Sequence, residues 1–262
     1  METTVLALML CLVMTSFPVE SVTIPLSMMD NSVDDMYDGC SEEMAEKVEN
    51  ENFPKEMNNN ALFKRTWENE EKTANKKYKE NSKILTQKQI KALIIYTGDD
   101  VHEEFNTAVQ DSADKYGTDE FKYHTLYYLL TTAIQKLNSA KTCHTTYRRS
   151  YDEFTGTLNQ EIRFGQFASA SFHPNMEDFG TETCFQIETC LGAPIKDYSI
   201  NRSEDEVLIP PYEKFKIMKI VEGTNYEKLK NCKKIFVVKN TGSQSKLNCR
   251  AAPPKQGSSG AL

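Results

Sequence analysis

The sequence predicts an α+β fold: a helical N-terminal half packed on mixed or antiparallel sheets. Two observations carry that prediction. Between residues 61 and 137 apolar side chains recur at helical spacing. From His144 onward, short runs rich in β-branched and aromatic residues alternate with turn residues. No internal repeat or linker divides the 262 residues, so one domain is expected.

In chain order, residues 5–13 form an apolar run too short to span a bilayer. Val19 and Ser21 stand at positions suited to signal peptidase, so residues 1–21 read as a secretory signal, with Glu2 in place of the usual basic start. Residues 30–60 are polar and acidic without a clear period. A helix is expected over 61–79, anchored by Leu62, Phe63 and Trp67, with its Lys- and Glu-rich face in water. Residues 90–96 are apolar and β-branched and fit either helix or strand. Asp99 or Asp100 can cap the next helix, in which Val101, Phe105 and Val109 recur every four residues until Gly117 stops it. Residues 121–137 form a stronger helix that buries Leu126, Leu129, Leu130, Ala133 and Leu137. His124 within it reads as a packed, hydrogen-bonded side chain. Strands are expected at 145–148, 162–167, 184–188, 207–209, 215–221 and 234–238. Residues 251–262 read as a disordered tail, which leaves 22–250 as the domain. That tail has no hydrophobic stretch of the kind a GPI signal requires, so a soluble, secreted protein without a membrane anchor is expected.

The net charge of -7 argues against a nucleic-acid partner, which would need a basic face. Beyond the signal, six cysteines remain: Cys40, Cys143, Cys184, Cys190, Cys232 and Cys249. An even count behind a signal favours disulfides, with fifteen connectivities open. With no C-x-x-C and no paired histidines, a zinc site is not expected. No G-x-G-x-x-G and no Walker loop is present, so a nucleotide would have to be held by another device.

The acidic triplet Glu204-Asp205-Glu206 precedes a short strand, Val207-Leu208-Ile209, closed by Pro210-Pro211. If the strand starts early, Glu204 and Glu206 share a face and Asp205 takes the other. Taken alone, such a triplet reads as a solvated acidic loop. Glu204-Asp205-Glu206-Val207-Leu208-Ile209-Pro210-Pro211, however, resembles the E-x-E motif of the ecto-ADP-ribosyltransferases, the arginine-specific mono-ADP-ribosyltransferases of R-S-E type. Tyr147-Arg148-Arg149 resembles their Arg element. Arg163-Phe164-Gly165-Gln166-Phe167-Ala168-Ser169-Ala170-Ser171 resembles their Ser element. The similarity runs from about residue 38 to 249.

The resemblance implies an NAD cleft between two small sheets, with NAD as substrate. Arg148 would hold phosphate, and Ser169 would orient the catalytic glutamate and the ribose. Tyr96, Gln166 and Ser199 would contact NAD, and Phe179 would stack on nicotinamide. Arg149 stands where many relatives have Gly and would meet the nicotinamide amide through its backbone. Glu206 would stabilise the ribosyl cation, and Glu204 would orient the acceptor guanidinium and take its proton. The implied partners are extracellular or secretory-pathway proteins with exposed arginine. The resemblance also selects Cys40–Cys249 and Cys143–Cys190, leaving Cys184 and Cys232 over. An NAD glycohydrolase keeps the same site but admits water; a secreted binding protein on a disabled fold would lack a signature residue. Asn201-Arg202-Ser203 is the one N-glycosylation sequon, just before the acidic triplet.

Overall fold

The computed structural model describes residues 23–81, 84–98, 100–223 and 226–252. The expected signal and Asp99 lie outside them. A short strand β1 (Thr23–Pro25) leads into the segment 30–60, which holds more order than its composition suggested. There α1 (Ser41–Lys47), one π-helical turn (Val48–Asn52) and α2 (Phe53–Asn59) run on from one another, with Met44 and Val48 buried. The helix expected over 61–79 is two, α3 (Ala61–Asn69) and α4 (Glu71–Asn81). Asn60 caps the first by accepting from Phe63 N at 2.9 Å, and Phe63 and Trp67 are buried as expected.

The ambiguous stretch 90–96 belongs to helix α5 (Gln87–Tyr96). Thr86 and Gln89 form a capping box at its start, a local signal that outweighs the β-branched content. Helix α6 (His102–Asp111) begins after Val101, so Asp100 is not its cap. It also stops well before Gly117. Val33 N donates to the Val109 carbonyl at 2.7 Å and Ala113 N to Asn31 at 2.9 Å, so the N-terminal segment closes that end. Helix α7 (His124–Leu137) starts later than expected because Glu56 of α2 caps it from outside, accepting from Thr125 N at 3.1 Å. His124 is buried and accepts from Gly117 N at 3.2 Å.

The second half is sheet: β2 (His144–Ser150), β3 (Glu153–Thr155), β4 (Glu161–Ile162), β5 (Ala168–Ser171), β6 (Thr183–Thr189), β7 (Ala193–Pro194), β8 (Glu206–Ile209), β9 (Glu213–Glu222) and β10 (Lys234–Ser243). The strand expected at 162–167 ends at Ile162. Arg163 turns inward to pair with Asp34 at 2.7 Å and donates to the Met28 carbonyl at 2.7 Å. Gly165 follows at φ 68°, where a Cβ would fall 2.5 Å from that of Met29.

Strand β1 pairs with β3, and the other eight run in the order β4-β9-β10-β6-β2-β5-β8-β7. Ladders β6–β10 are parallel and β2–β6, β9–β10 and β5–β8 antiparallel, which makes the sheet mixed. The two predicted sheets meet at one residue pair, Tyr147 opposite Ser171, between β2 and β5. Strand β8 serves both cores. Its Leu208 packs into the helical core with Phe167, Tyr127 and Ile94, and Ile209 into the sheet core with Phe185, Phe215 and Phe236.

All three disulfides are formed: Cys40–Cys249, Cys143–Cys190 and Cys184–Cys232. The first straps the C-terminal segment to the helices. Asp34 accepts from Leu247 N and Asp35 from Cys249 N, each at 2.9 Å. Ala251 and Ala252, expected to open a tail, are buried in that strap; the rest of the expected tail lies outside the described residues.

Candidate active site

Where β2 and β5 part beyond their single shared pair, a cavity of about 610 Å³ opens against the α5–α6 junction. That volume lies within the range of small-molecule sites. The sequence of β5, Ala-Ser-Ala-Ser, sends Ala168 and Ala170 into the sheet core, which leaves Ser169 and Ser171 for the other face. Arg148 spans the gap, its Nη1 donating to the Ser169 carbonyl at 2.7 Å. Burial draws the Arg148 pKa down, while Tyr96, Asp152 and Glu206 draw it up.

Glu206 opens β8 opposite Ser171 and is only 4% exposed. Its Oε2 is buried without a hydrogen-bond partner among the described residues. Burial raises its pKa, and the charge of Glu204 adds to that; the hydroxyls of Ser169 and Ser199 and the Arg148 guanidinium work the other way. A buried carboxylate oxygen without a partner, at the wall of a cleft, is the kind of group that functional sites hold.

Glu204 reaches the same cleft by a different route from the one the strand pattern suggested. It ends a 3₁₀ turn, Arg202–Glu204, and Asp205 follows in the left-handed region at φ 45°. That residue, not strand alternation, sets Glu204 and Glu206 on one cavity. Asp205 stays out of the cleft wall, as expected, paired with Lys196 Nζ at 3.1 Å and His173 Nε2 at 3.6 Å. Ser171 Oγ donates to the Glu204 carbonyl and accepts from His173 N at 2.8 Å, fixing the turn to β5. Asn201 Nδ2 donates to Glu204 Oε1 at 2.8 Å.

Tyr96 lines the cleft with its hydroxyl already committed, donating to Phe167 O at 2.8 Å and accepting from Asn106 Nδ2 at 3.2 Å. Phe179 stands on the rim, 48% exposed, at the end of the 3₁₀ turn Glu177–Phe179. Gln166 and Ser199 fall outside the cleft wall. Ser199 is buried, and its carbonyl accepts from Lys77 Nζ at 2.8 Å. Arg149 touches the cleft, but its side chain donates to Pro174 O at 2.8 Å and Lys230 O at 3.1 Å.

Sequence reasoning passed over Ser171, His102 and Tyr151, which line the cavity, and read Asn201, which does not, only as a sequon. Only Asn201 carried a local signal, the Asn-x-Ser turn. The other three depend on which elements the fold brings together. Among the described residues no group of three His, Cys, Asp or Glu is placed to hold a metal.

A family profile described as NAD:arginine ADP-ribosyltransferase matches residues 26–234. The chain is 34% identical over 226 residues to T-cell ecto-ADP-ribosyltransferase 2 of Rattus norvegicus, spanning 84% of this chain and 77% of the relative. It is 30% identical over 245 residues to NAD(P)(+)--arginine ADP-ribosyltransferase 2 of Gallus gallus, spanning 90% and 76%. The crystal structure of a mutant of the eukaryotic mono-ADP-ribosyltransferase ART2.2 in complex with NADH superposes with a TM-score of 0.73 at 31% identity, covering 86% of this chain and 98% of that one.

Proposed function

The chain belongs to the NAD:arginine ADP-ribosyltransferase family, and on that premise we infer how its own residues divide the work. The enzyme transfers ADP-ribose from NAD to the guanidinium of arginine and releases nicotinamide. The observation that carries the site assignment is the buried Oε2 of Glu206, without a hydrogen-bond partner among the described residues, on a side chain that lines the cleft.

Breaking the bond between ribose C1′ and nicotinamide leaves an electron-poor, oxocarbenium-like centre, and the bonding pair departs with neutral nicotinamide. Glu206 supplies a fixed negative charge to that centre in a dry site, where such charge counts for more than in water. The hydroxyls of Ser169 and Ser199 favour its ionised form, and Arg148 presents its guanidinium to the pyrophosphate. Phe179 offers an exposed ring at the rim for nicotinamide. The acceptor arginine is a poor nucleophile while protonated. Glu204, with one oxygen steadied by Asn201, orients the guanidinium and takes its proton as the C1′–N bond forms.

We read residues 22–250 as one catalytic domain acting on proteins of the secretory route or cell exterior. Three disulfides and the ecto-enzyme names of the relatives support that compartment.

The test uses labelled NAD and a small guanidine, with free ADP-ribose separated from adduct. Glu206→Gln loses nicotinamide release and transfer together, by about 10²–10³. Glu204→Gln loses arginine modification but keeps measurable NAD hydrolysis. Equal loss of both in Glu204→Gln would refute the division of labour.

A further inference from the structure

Asn201 uses both ends of its carboxamide. Its Oδ1 accepts from Ser203 N at 3.2 Å and from Ser203 Oγ at 2.6 Å, while Nδ2 donates to Glu204 Oε1 at 2.8 Å. The partners fix the orientation of the amide, since a flipped group would set its oxygen against the carboxylate. The same three residues, Asn201-Arg202-Ser203, are the one N-glycosylation sequon of the chain, and Asn201 is exposed. The chain carries three disulfides, which belong to the oxidising compartments where such sequons are used.

We propose that Asn201 is an N-glycosylation site whose glycan, attached at the nitrogen that faces Glu204, selects small guanidines over folded-protein acceptors. The inference rests on the role given above to Glu204. In the modification, Nδ2 forms a bond to C1 of an oligosaccharide carried on a lipid pyrophosphate. The C1–O bond to the pyrophosphate breaks, and one of the two Nδ2 protons is lost to the transferring enzyme. The first sugar then stands beside the Glu204 carboxylate, next to Ile200, itself 49% exposed. A small guanidine reaches Glu204 past the sugar. An arginine on a folded protein arrives with a surface around it, and that surface meets the glycan. Glu206 lies below, buried, so the glycan leaves nicotinamide release alone.

The experiment expresses the full chain in a secreting eukaryotic cell and maps Asn201 by mass spectrometry. Wild type, Ser203→Thr and Ser203→Ala are then compared for NAD hydrolysis and for modification of agmatine and of serum albumin. The threonine keeps the sequon, and the alanine removes it while leaving Asn201 itself in place, at the loss of the hydrogen bond from Ser203 Oγ. Glycan mass at Asn201 is expected in wild type and Ser203→Thr, with equal hydrolysis in all three. The albumin-to-agmatine ratio should rise roughly tenfold in Ser203→Ala, equivalent to about 1.4 kcal/mol. Trimming the wild-type glycan to its first sugar should move the ratio the same way, which a turn disturbed by alanine would not explain. Unmodified Asn201 in secreted protein, or a ratio unchanged by alanine and by trimming, overturns the proposal. Occupancy is read by mass alone, so its failure is separate from a failure of the Glu204 assignment, which Glu204→Gln reports through hydrolysis against transfer.

Discussion

The Glu206 carboxyl serves catalysis at a cost to the fold. Its pKa is raised by burial, so the unfolded chain ionises first as pH rises. Between the ordinary value of 4.5 and the raised one, the folded state holds the proton, and stability falls through that window. Above it the full penalty of the buried charge is present. Glu206→Gln removes that penalty, so the variant should melt above wild type at pH 7, with the gap closing as pH falls below the ordinary carboxyl value. Transfer in wild type should climb through the same window, because only the ionised group stabilises a cation. Thermal melts at several pH values check both halves; a variant that melts below wild type at neutral pH would remove the buried-charge account. The resemblance to the family's E-x-E motif made this glutamate legible in the sequence, where spacing alone reads as a solvated loop. Its burial was not, because Ser169 and Ser199 come from elements on either side of it.

Among the elements, the turn that bears Phe179 is held more tightly than its exposure suggests. Gly180 ends it at φ 111°, and a Cβ there would fall 2.3 Å from the Ser150 carbonyl carbon. Backbone cannot yield as a flexible side chain does, so Gly180→Ala must push the Phe179 turn away from the end of β2. Such a conformation costs a non-glycine residue about 1–3 kcal/mol. Because Phe179 and Ser150 both line the cleft, the cost should appear as a raised KM for NAD, by about tenfold or more, with a smaller change in kcat. An unchanged KM would detach this turn from substrate binding. Helices α3, α6 and α7 and strands β6, β9 and β10 were legible because their apolar period is a local property. The ends were not. Glu56 caps α7 from 69 residues away, and Arg163 leaves its strand for Asp34 across 129 residues. No window along the chain contains both partners of either pair.

For the molecule as a whole, the three disulfides divide into those that hold the fold and those that sit by the chemistry. Cys40–Cys249 closes a loop across 209 residues, worth about 5 kcal/mol or slightly more in the chain-entropy picture. That is a large share of the stability a domain of this kind possesses. The strap it closes contributes no residue to the cleft wall. Cys143–Cys190 differs, since Cys143 leads directly into β2 and Cys190 N donates to the buried Glu213 at 2.7 Å. Glu213 also takes Thr189 Oγ1 at 2.6 Å and Asn240 Nδ2 at 2.7 Å, so that corner joins β6, β9 and β10 next to the strand bearing Arg148. The pair of double serine variants should therefore separate. Cys40→Ser with Cys249→Ser should lower the denaturant midpoint strongly while NAD hydrolysis at low temperature stays near wild type. Cys143→Ser with Cys190→Ser should lose hydrolysis even where the protein is still folded, because Arg148 depends on the seating of β2. Hydrolysis lost in the first variant under folded conditions would mean that the C-terminal strap reaches the cleft by a route the contacts do not reveal.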